Sequence, residues 1–212
     1  MQCLPSRSID FVLTDPPYLV RYKSRDGRSI ANDVEQDWLL PAFEEVYRLL
    51  KPDNFAVSFY GWPKCDVFMD AWRQVGFRIV GHFVFVKSYS SSTGFLAYQH
   101  ENAFLLAKGN PPKPENPIPD VLPFKYSGNR LHPTQKPVQP LRELIGHLSK
   151  PGETVLDPFA GSASTAVAAH LEGREFVAIE KVQEYFDIAQ TRLSKTKPRP
   201  VERPVKKAAA GR

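Results

Sequence analysis

Thr154-Val155-Leu156-Asp157-Pro158-Phe159-Ala160-Gly161-Ser162 reads as a strand that ends on an acidic residue, turns at a glycine and starts a helix. A glycine at that turn lets backbone approach a ligand closely, and the helix N-terminus offers unpaired N–H groups to a carboxylate. Residues 162–173 are small and helical in pattern, and the strand Glu175–Glu180 follows. Glu180 thus lies 23 residues after Asp157, where an acidic side chain in a Rossmann-like unit accepts hydrogen bonds from ribose hydroxyls. Taken alone, one glycine at a strand–helix turn is more often structural, and a nucleotide-type ligand is the second reading.

Outward from that stretch, short apolar runs alternate with helical patterns, which predicts βαβ units and a mostly parallel sheet. Ile9–Thr14 reads as a strand, 35–50 as a helix closed by Lys51-Pro52-Asp53, and Phe55–Tyr60 as a second strand. Lys64–Val75 is helical and ended by Gly76, and Phe77–Lys87 with Asn102–Ala107 can pair as an antiparallel hairpin at the sheet edge. Six prolines between 109 and 123 exclude a central strand and a regular helix, leaving an extended loop. Helices near 138–149 and 181–194 complete the pattern, and there is no internal repeat.

Asp15-Pro16-Pro17-Tyr18 caps the first strand. Each proline fixes φ near about −65° and lacks an N–H, so the backbone is stiff and the Pro16 carbonyl is free beside the Asp15 carboxylate. Two acceptors next to an aromatic face suit an amino group on a planar base. A strand end with Tyr18 packed nearby is an equally good account of the same four residues.

In this order the motifs resemble the β class of bacterial DNA amino-methyltransferases. Their Asp-Pro-Pro-Tyr motif precedes the S-adenosylmethionine motif, and here Asp15 lies 142 residues before Asp157. His132-Pro133-Thr134-Gln135-Lys136-Pro137 is similar to the family segment before the cofactor loop, and Tyr98-Gln99-His100-Glu101 and Leu106-Ala107-Lys108-Gly109 to its edge-strand signatures. The resemblance covers about residues 6–194. It implies an α/β, Rossmann-like S-adenosylmethionine-dependent methyltransferase fold with a circularly permuted motif order, an antiparallel edge hairpin, and a short recognition segment at about 88–131. It implies an enzyme that methylates the N6 amino group of adenine in DNA, of the kind found in restriction–modification. Asp15, Pro16, Pro17 and Tyr18 would be catalytic. Asp157, Phe159, Gly161, Ser162, Glu180, Thr134, Gln135 and Lys136 would hold the cofactor, with Thr134, Gln135 and Lys136 at its methionine carboxylate. Arg21, Lys23, Arg25 and Arg28 would touch DNA phosphates. Asp15, with an ordinary pKa near ~4, would be an acceptor rather than a strong base.

Three departures from the family pattern stand out. Ala163 occupies the place of a second glycine, the sequence given begins without the family's preceding strand, and the recognition segment is short. The last feature gives two copies a reason to share DNA contacts, so a homodimer is expected. N4-cytosine methylation is the runner-up, since family members acting on cytosine more often carry Ser before Pro-Pro. A non-catalytic cofactor- or DNA-binding subunit is a further alternative. Protein glutamine methyltransferases, which use Asn-Pro-Pro-Tyr, have the opposite motif order.

Composition fits these expectations. Residues 195–212 hold seven of the 28 basic residues and one of the 23 acids, leaving 21 against 22, about −1, for residues 1–194. The basicity is therefore a tail, expected to be disordered, behind a methyltransferase domain at 1–194. No apolar run approaches the ~20 residues of a membrane span, and Cys3 and Cys65 have no metal-type spacing. A cytoplasmic protein without metal or membrane partner is expected.

Overall fold

The computed structural model describes residues 1–20, 33, 35–90, 95–125, 131, 132 and 134–197. Arg21, Lys23, Arg25 and Arg28, and the tail beyond residue 197, lie outside the described residues.

Among the described residues, seven strands form one sheet: β1 (Phe11–Thr14), β2 (Asn54–Phe59), β3 (Arg78–Val86), β4 (His100–Lys108), β5 (Val121–Pro123), β6 (Thr154–Asp157) and β7 (Glu175–Ala178). Their order is β5-β3-β4-β2-β1-β6-β7. β4 is antiparallel to β2 and β3, and the other pairings are parallel. Among the described residues, the α-helices are α1 (Leu39–Leu49), α2 (Cys65–Gln74), α3 (Val138–Leu148), α4 (Ser164–Leu171) and α5 (Gln183–Ser194).

β1 is buried at all four positions because both faces of the sheet are covered. Val12 points into a cluster with Phe43, Val46, Phe68 and Trp72 from α1 and α2. Phe11 and Leu13 alternate to the opposite cluster, with Leu141, Leu144 and Ile145 of α3 and Ala168 and Ala169 of α4. Each large side chain so buried contributes roughly 1.5–3 kcal/mol. α4 is built of small residues, buried continuously from Ser164 to Ala169, which lets it sit close against α3 and β7.

The expected hairpin forms as β3 and β4, with a register shift between Ile79 and Gly81. The proline-rich stretch differs from the expected loop: its end, Val121–Pro123, is a short strand parallel to β3. Proline is tolerated there because β5 is an edge strand, so a missing N–H breaks no inner ladder.

The topology fixes the location of a site. From β1 the chain crosses one way to β2, and from β6 the other way to β7. Ligands in open α/β sheets bind outside the carboxyl ends of the strands at such a switch point. Asp15 follows the last residue of β1 and Asp157 is the last residue of β6, so both expected motifs converge there.

Candidate active site

The two strand ends are joined directly. Thr14 Oγ1 donates to Asp157 Oδ1 at 3.0 Å, and the same oxygen accepts the Phe159 N–H at 3.1 Å. Asp157 is 4% exposed. Burial pushes its carboxyl up to about 6, against hydrogen bonds from Thr165, the Phe159 N–H and Thr14 that lower it; the nearby Asp15 charge also raises it.

The turn after Asp157 is held from several sides. Gly161, at φ +50, donates its N–H to Glu180 Oε2 at 2.8 Å, and the Val182 N–H reaches Glu180 Oε1 at 2.7 Å. Glu180 therefore ties the glycine turn to the start of α5, in addition to any role towards a ribose. Ala163 adopts φ +62, a left-handed conformation costing a non-glycine residue roughly 1–2 kcal/mol. Its methyl packs with Ala166 and Ala189, so the departure from glycine is met by burial of the methyl in a small apolar cluster. The Phe159 ring lies edge-on to Trp38 at 5.1 Å. Arg192 of α5 donates to the Ser162 carbonyl at 2.9 Å and to Ser164 Oγ at 3.1 Å.

Ser164 Oγ in turn donates to the Lys136 carbonyl at 2.8 Å, fastening the 134–137 segment against the turn. Thr134 contacts His132 Nδ1 through its N–H at 3.3 Å and its hydroxyl at 3.2 Å. Gln135 Oε1 is buried and has no hydrogen-bond partner among the described residues. The Lys136 side chain is engaged by acidic partners and a phenol. Its Nζ lies 2.7 Å from Asp15 Oδ2, 3.0 Å from the Tyr18 hydroxyl and 3.1 Å from Glu101 Oε2. It also sits over the rings of Tyr18 and Phe59, at 5.1 and 5.0 Å from their centroids. Lys136 is thus part of the Asp15–Tyr18 cluster, drawn there by two carboxylates that the fold gathers around it.

Tyr18 closes this cluster by donating to Asp15 Oδ1 at 2.8 Å. Glu101, at the start of β4, reaches it because β4 runs antiparallel to β2 and so begins at the carboxyl ends of the parallel strands. Lys87, just past β3, pairs with Glu101 Oε1 at 2.6 Å and is 5% exposed at its side chain. Two carboxylates, each 21% exposed at the side chain, balance two buried ammonium groups, as buried charges require.

The titration directions follow from these contacts. Burial raises the Asp15 carboxyl above its ordinary value; Lys136 pulls it down and Glu101 pushes it up. This departs from the ordinary value expected from sequence. For Glu101 burial also acts upward, but Lys136 and Lys87 outweigh it and the carboxyl is lowered. Burial alone would lower Lys136; Asp15 and Glu101 hold it up, so it stays an ammonium. Burial and the two carboxylates push the Tyr18 phenol well above its ordinary range, so it remains a hydrogen donor.

Glu101 and Lys87 were absent from the sequence-derived site. Tyr98-Gln99-His100-Glu101 carried the signal, read there as an edge-strand signature. Among the described residues, no helix is long and apolar enough to cross a membrane, and no group of three or more His, Cys, Asp or Glu is placed to hold a metal ion.

Comparison with known proteins gives the family and the fold. A family model described as DNA methylase (N6_N4_Mtase) matches residues 9–191. The chain is similar to YubD of Escherichia coli (strain K12), named as a methylase, at 52% identity over 194 residues covering 92% of this chain and 86% of that one. It is 31% identical to the DNA adenine methyltransferase YhdJ of the same organism over 235 residues, covering 90% of this chain and 78% of YhdJ. Among solved structures, TTHA0409 of Thermus thermophilus, a DNA modification methylase by its description and complexed with S-adenosyl-L-methionine, superposes with a TM-score of 0.73. That match is 23% identical and covers 93% of this chain and 90% of the other. The cytosine-N4-specific PvuII DNA methyltransferase superposes with a TM-score of 0.71 at 20% identity, covering 90% and 81%. The last two share the Rossmann-like fold of this chain.

Proposed function

The chain belongs to the N6/N4 DNA methylase family, and we propose that within it this protein transfers a methyl group from S-adenosylmethionine to the N6 amino group of adenine in DNA. The observation that carries the reading is the convergence of Asp15 and Tyr18 with the Asp157–Gly161 turn, joined by the 3.0 Å bond from Thr14 to Asp157. A family of N6 and N4 methylases needs a target site and a methyl-donor site in contact, and these two strand ends provide adjacent places for them.

The residues present fit the donor. Gln135 Oε1 is a buried acceptor without a partner among the described residues, Asp157 is a buried carboxylate suited to an ammonium, and Gly161 leaves the turn without a side chain. When bound, S-adenosylmethionine supplies an electrophilic methyl group. Asp157 holds its amino group, Thr134 and Gln135 its methionine end, Glu180 its ribose, and Phe159, Gly161 and Ser162 line its path. A docked ammonium favours ionised Asp157, since an opposite charge stabilises the carboxylate.

The amino nitrogen of adenine is a poor nucleophile because its lone pair is delocalised into the ring. Asp15 and the Pro16 carbonyl accept its two N–H groups and localise that lone pair, with Pro16 and Pro17 keeping the backbone rigid. Tyr18 stacks on the base, which must leave the helix at a cost of a few kcal/mol. Alignment of this kind is worth roughly 7–11 kcal/mol at best. The burial that raises Asp15 also suits it to take the proton the nitrogen sheds. We extend the proposal to one methyltransferase domain over 1–194, phosphate contacts by Arg21, Lys23, Arg25 and Arg28, and a homodimer.

Adenine is favoured over cytosine by Asp15 before Pro-Pro and by the likeness to YhdJ, a DNA adenine methyltransferase. The test is incubation with methyl-labelled cofactor and unmethylated DNA, followed by hydrolysis to nucleosides. Label in N6-methyldeoxyadenosine is expected. Label in N4-methyldeoxycytidine would transfer the chain to the cytosine branch, and unlabelled DNA would favour a non-catalytic subunit.

A further inference from the structure

We propose that Glu101, fixed by Lys87, is a docking point for the Lys136 ammonium, so that Lys136 swings off Asp15 when a target amino group arrives and returns when the product leaves. The proposal rests on Asp15 being the amino-group acceptor.

Both Asp15 oxygens are engaged in this structure, Oδ1 by the Tyr18 hydroxyl at 2.8 Å and Oδ2 by Lys136 at 2.7 Å. An incoming N–H therefore competes with an ammonium for the carboxylate. Lys136 is 7% exposed and has little access to water where it stands, so moving its ammonium off Asp15 without a counter-charge would be costly. Glu101 Oε2 offers that counter-charge, already within 3.1 Å of Nζ. The other Glu101 oxygen is held by Lys87 at 2.6 Å, which keeps the acceptor from following Lys136 towards Asp15. The rings of Tyr18 and Phe59 face the ammonium and stabilise it between the two carboxylates. No proton need move, because the cluster stays balanced with Lys136 on either partner.

Glu101 is on this account a positioning residue. The groups that face Asp15 are Tyr18, Lys136 and Glu101, with Asp157 across the strand ends and Lys87 behind Glu101. Removing them shifts the acid limb of the pH–rate profile in opposite senses. Lys136→Met takes away a cation, so Asp15 protonates more readily and the limb moves to higher pH. Glu101→Gln takes away an anion and leaves Lys136 wholly on Asp15, so the limb moves to lower pH. A Glu101 acting only through its charge on Asp15 would leave the plateau of the charge-keeping Glu101→Asp at the wild-type level. Docking predicts a slower one, because the shorter side chain leaves Lys136 a poorer place to go.

The experiment is single-turnover transfer from labelled cofactor to unmethylated DNA across pH 5.5–9, with cofactor affinity by calorimetry and folding by thermal melts. For Glu101→Gln we expect cofactor affinity unchanged, the limb at lower pH, and a plateau lower by roughly 10- to 100-fold, the range a charge-assisted hydrogen bond is worth. Glu101→Asp, which keeps the charge and shortens the reach, should fall between, and it carries the same comparison if Glu101→Gln does not fold. An active wild type with an unchanged or faster plateau in these variants overturns the docking proposal alone. A wild type that transfers no methyl group to DNA overturns the reading beneath it.

Discussion

Asp157→Asn should make the protein more stable at pH 8 while weakening its hold on the cofactor. Asp157 is 4% exposed, and its carboxyl is raised from 3.8 to about 6, chiefly by burial. Below pH 3.8 the group is neutral in both folded and unfolded chains. Between 3.8 and about 6 the folded protein keeps the proton that the unfolded chain has lost, so stability falls as pH rises. Above about 6 the folded state carries a buried charge, and at 1.36 kcal/mol per pH unit the loss amounts to about 3 kcal/mol. Asparagine removes this pH dependence. Its Oδ1 can keep the bonds from Thr14 and Phe159, which both end on Asp157 Oδ1. The assay is urea or thermal unfolding of both proteins from pH 4 to pH 8, taken as the difference between them so that other groups cancel. Over that range the difference should grow in favour of the variant by about 2.5 kcal/mol, roughly 5–10 °C in melting temperature for a chain of this size. A difference that stays flat with pH, or that moves towards the wild type, would refute the account of Asp157 as a charge held in reserve for a cationic ligand.

Tyr18→Phe keeps the stacking ring but removes the 2.8 Å bond to Asp15 and an acceptor for Lys136. It should slow single-turnover transfer roughly 5- to 30-fold, about 1–2 kcal/mol, whereas Tyr18→Ala should slow it far more; equal rates for Tyr18→Phe and wild type would show that the hydroxyl is idle. Glu180→Ala should weaken cofactor binding by roughly 1–3 kcal/mol and, because Glu180 also anchors the Gly161 and Val182 N–H groups, should raise amide exchange at the glycine turn. Calorimetry showing wild-type affinity in that variant would remove Glu180 from the site.

The sequence made the parallel core legible because its signals are local. β6 begins and ends where the run Thr154–Asp157 predicts, and the helix near 138–149 is α3, Val138–Leu148. The meeting of Asp15 with Asp157 comes from the sheet order, which sets β1 beside β6 although four strands separate them in the chain. What stayed hidden depends on contacts far along the chain. The partners of Lys136 in the fold, Asp15 and Glu101, are one case, with Asp15 lying 121 residues away. No spacing rule predicts which of several carboxylates a buried lysine will find. The prolines predict a loop where β5 forms, and the edge position is what makes Pro123 acceptable in a strand. The raised carboxyls of Asp15 and Asp157 are likewise products of burial, which no tetrapeptide reveals.

The central claim, that Asp15 accepts the target amino group of adenine beside a separate cofactor site, is tested most directly by Asp15→Ala. The measurement is the single-turnover rate of N6-methyldeoxyadenosine formation on unmethylated DNA, with cofactor affinity determined on the same preparations. Loss of a preorganised contact of this kind costs about 10²–10³ in rate, and loss of base orientation adds to it. The account predicts transfer reduced at least that far while cofactor affinity stays close to wild type. Wild-type rates from the Asp15→Ala protein would contradict it.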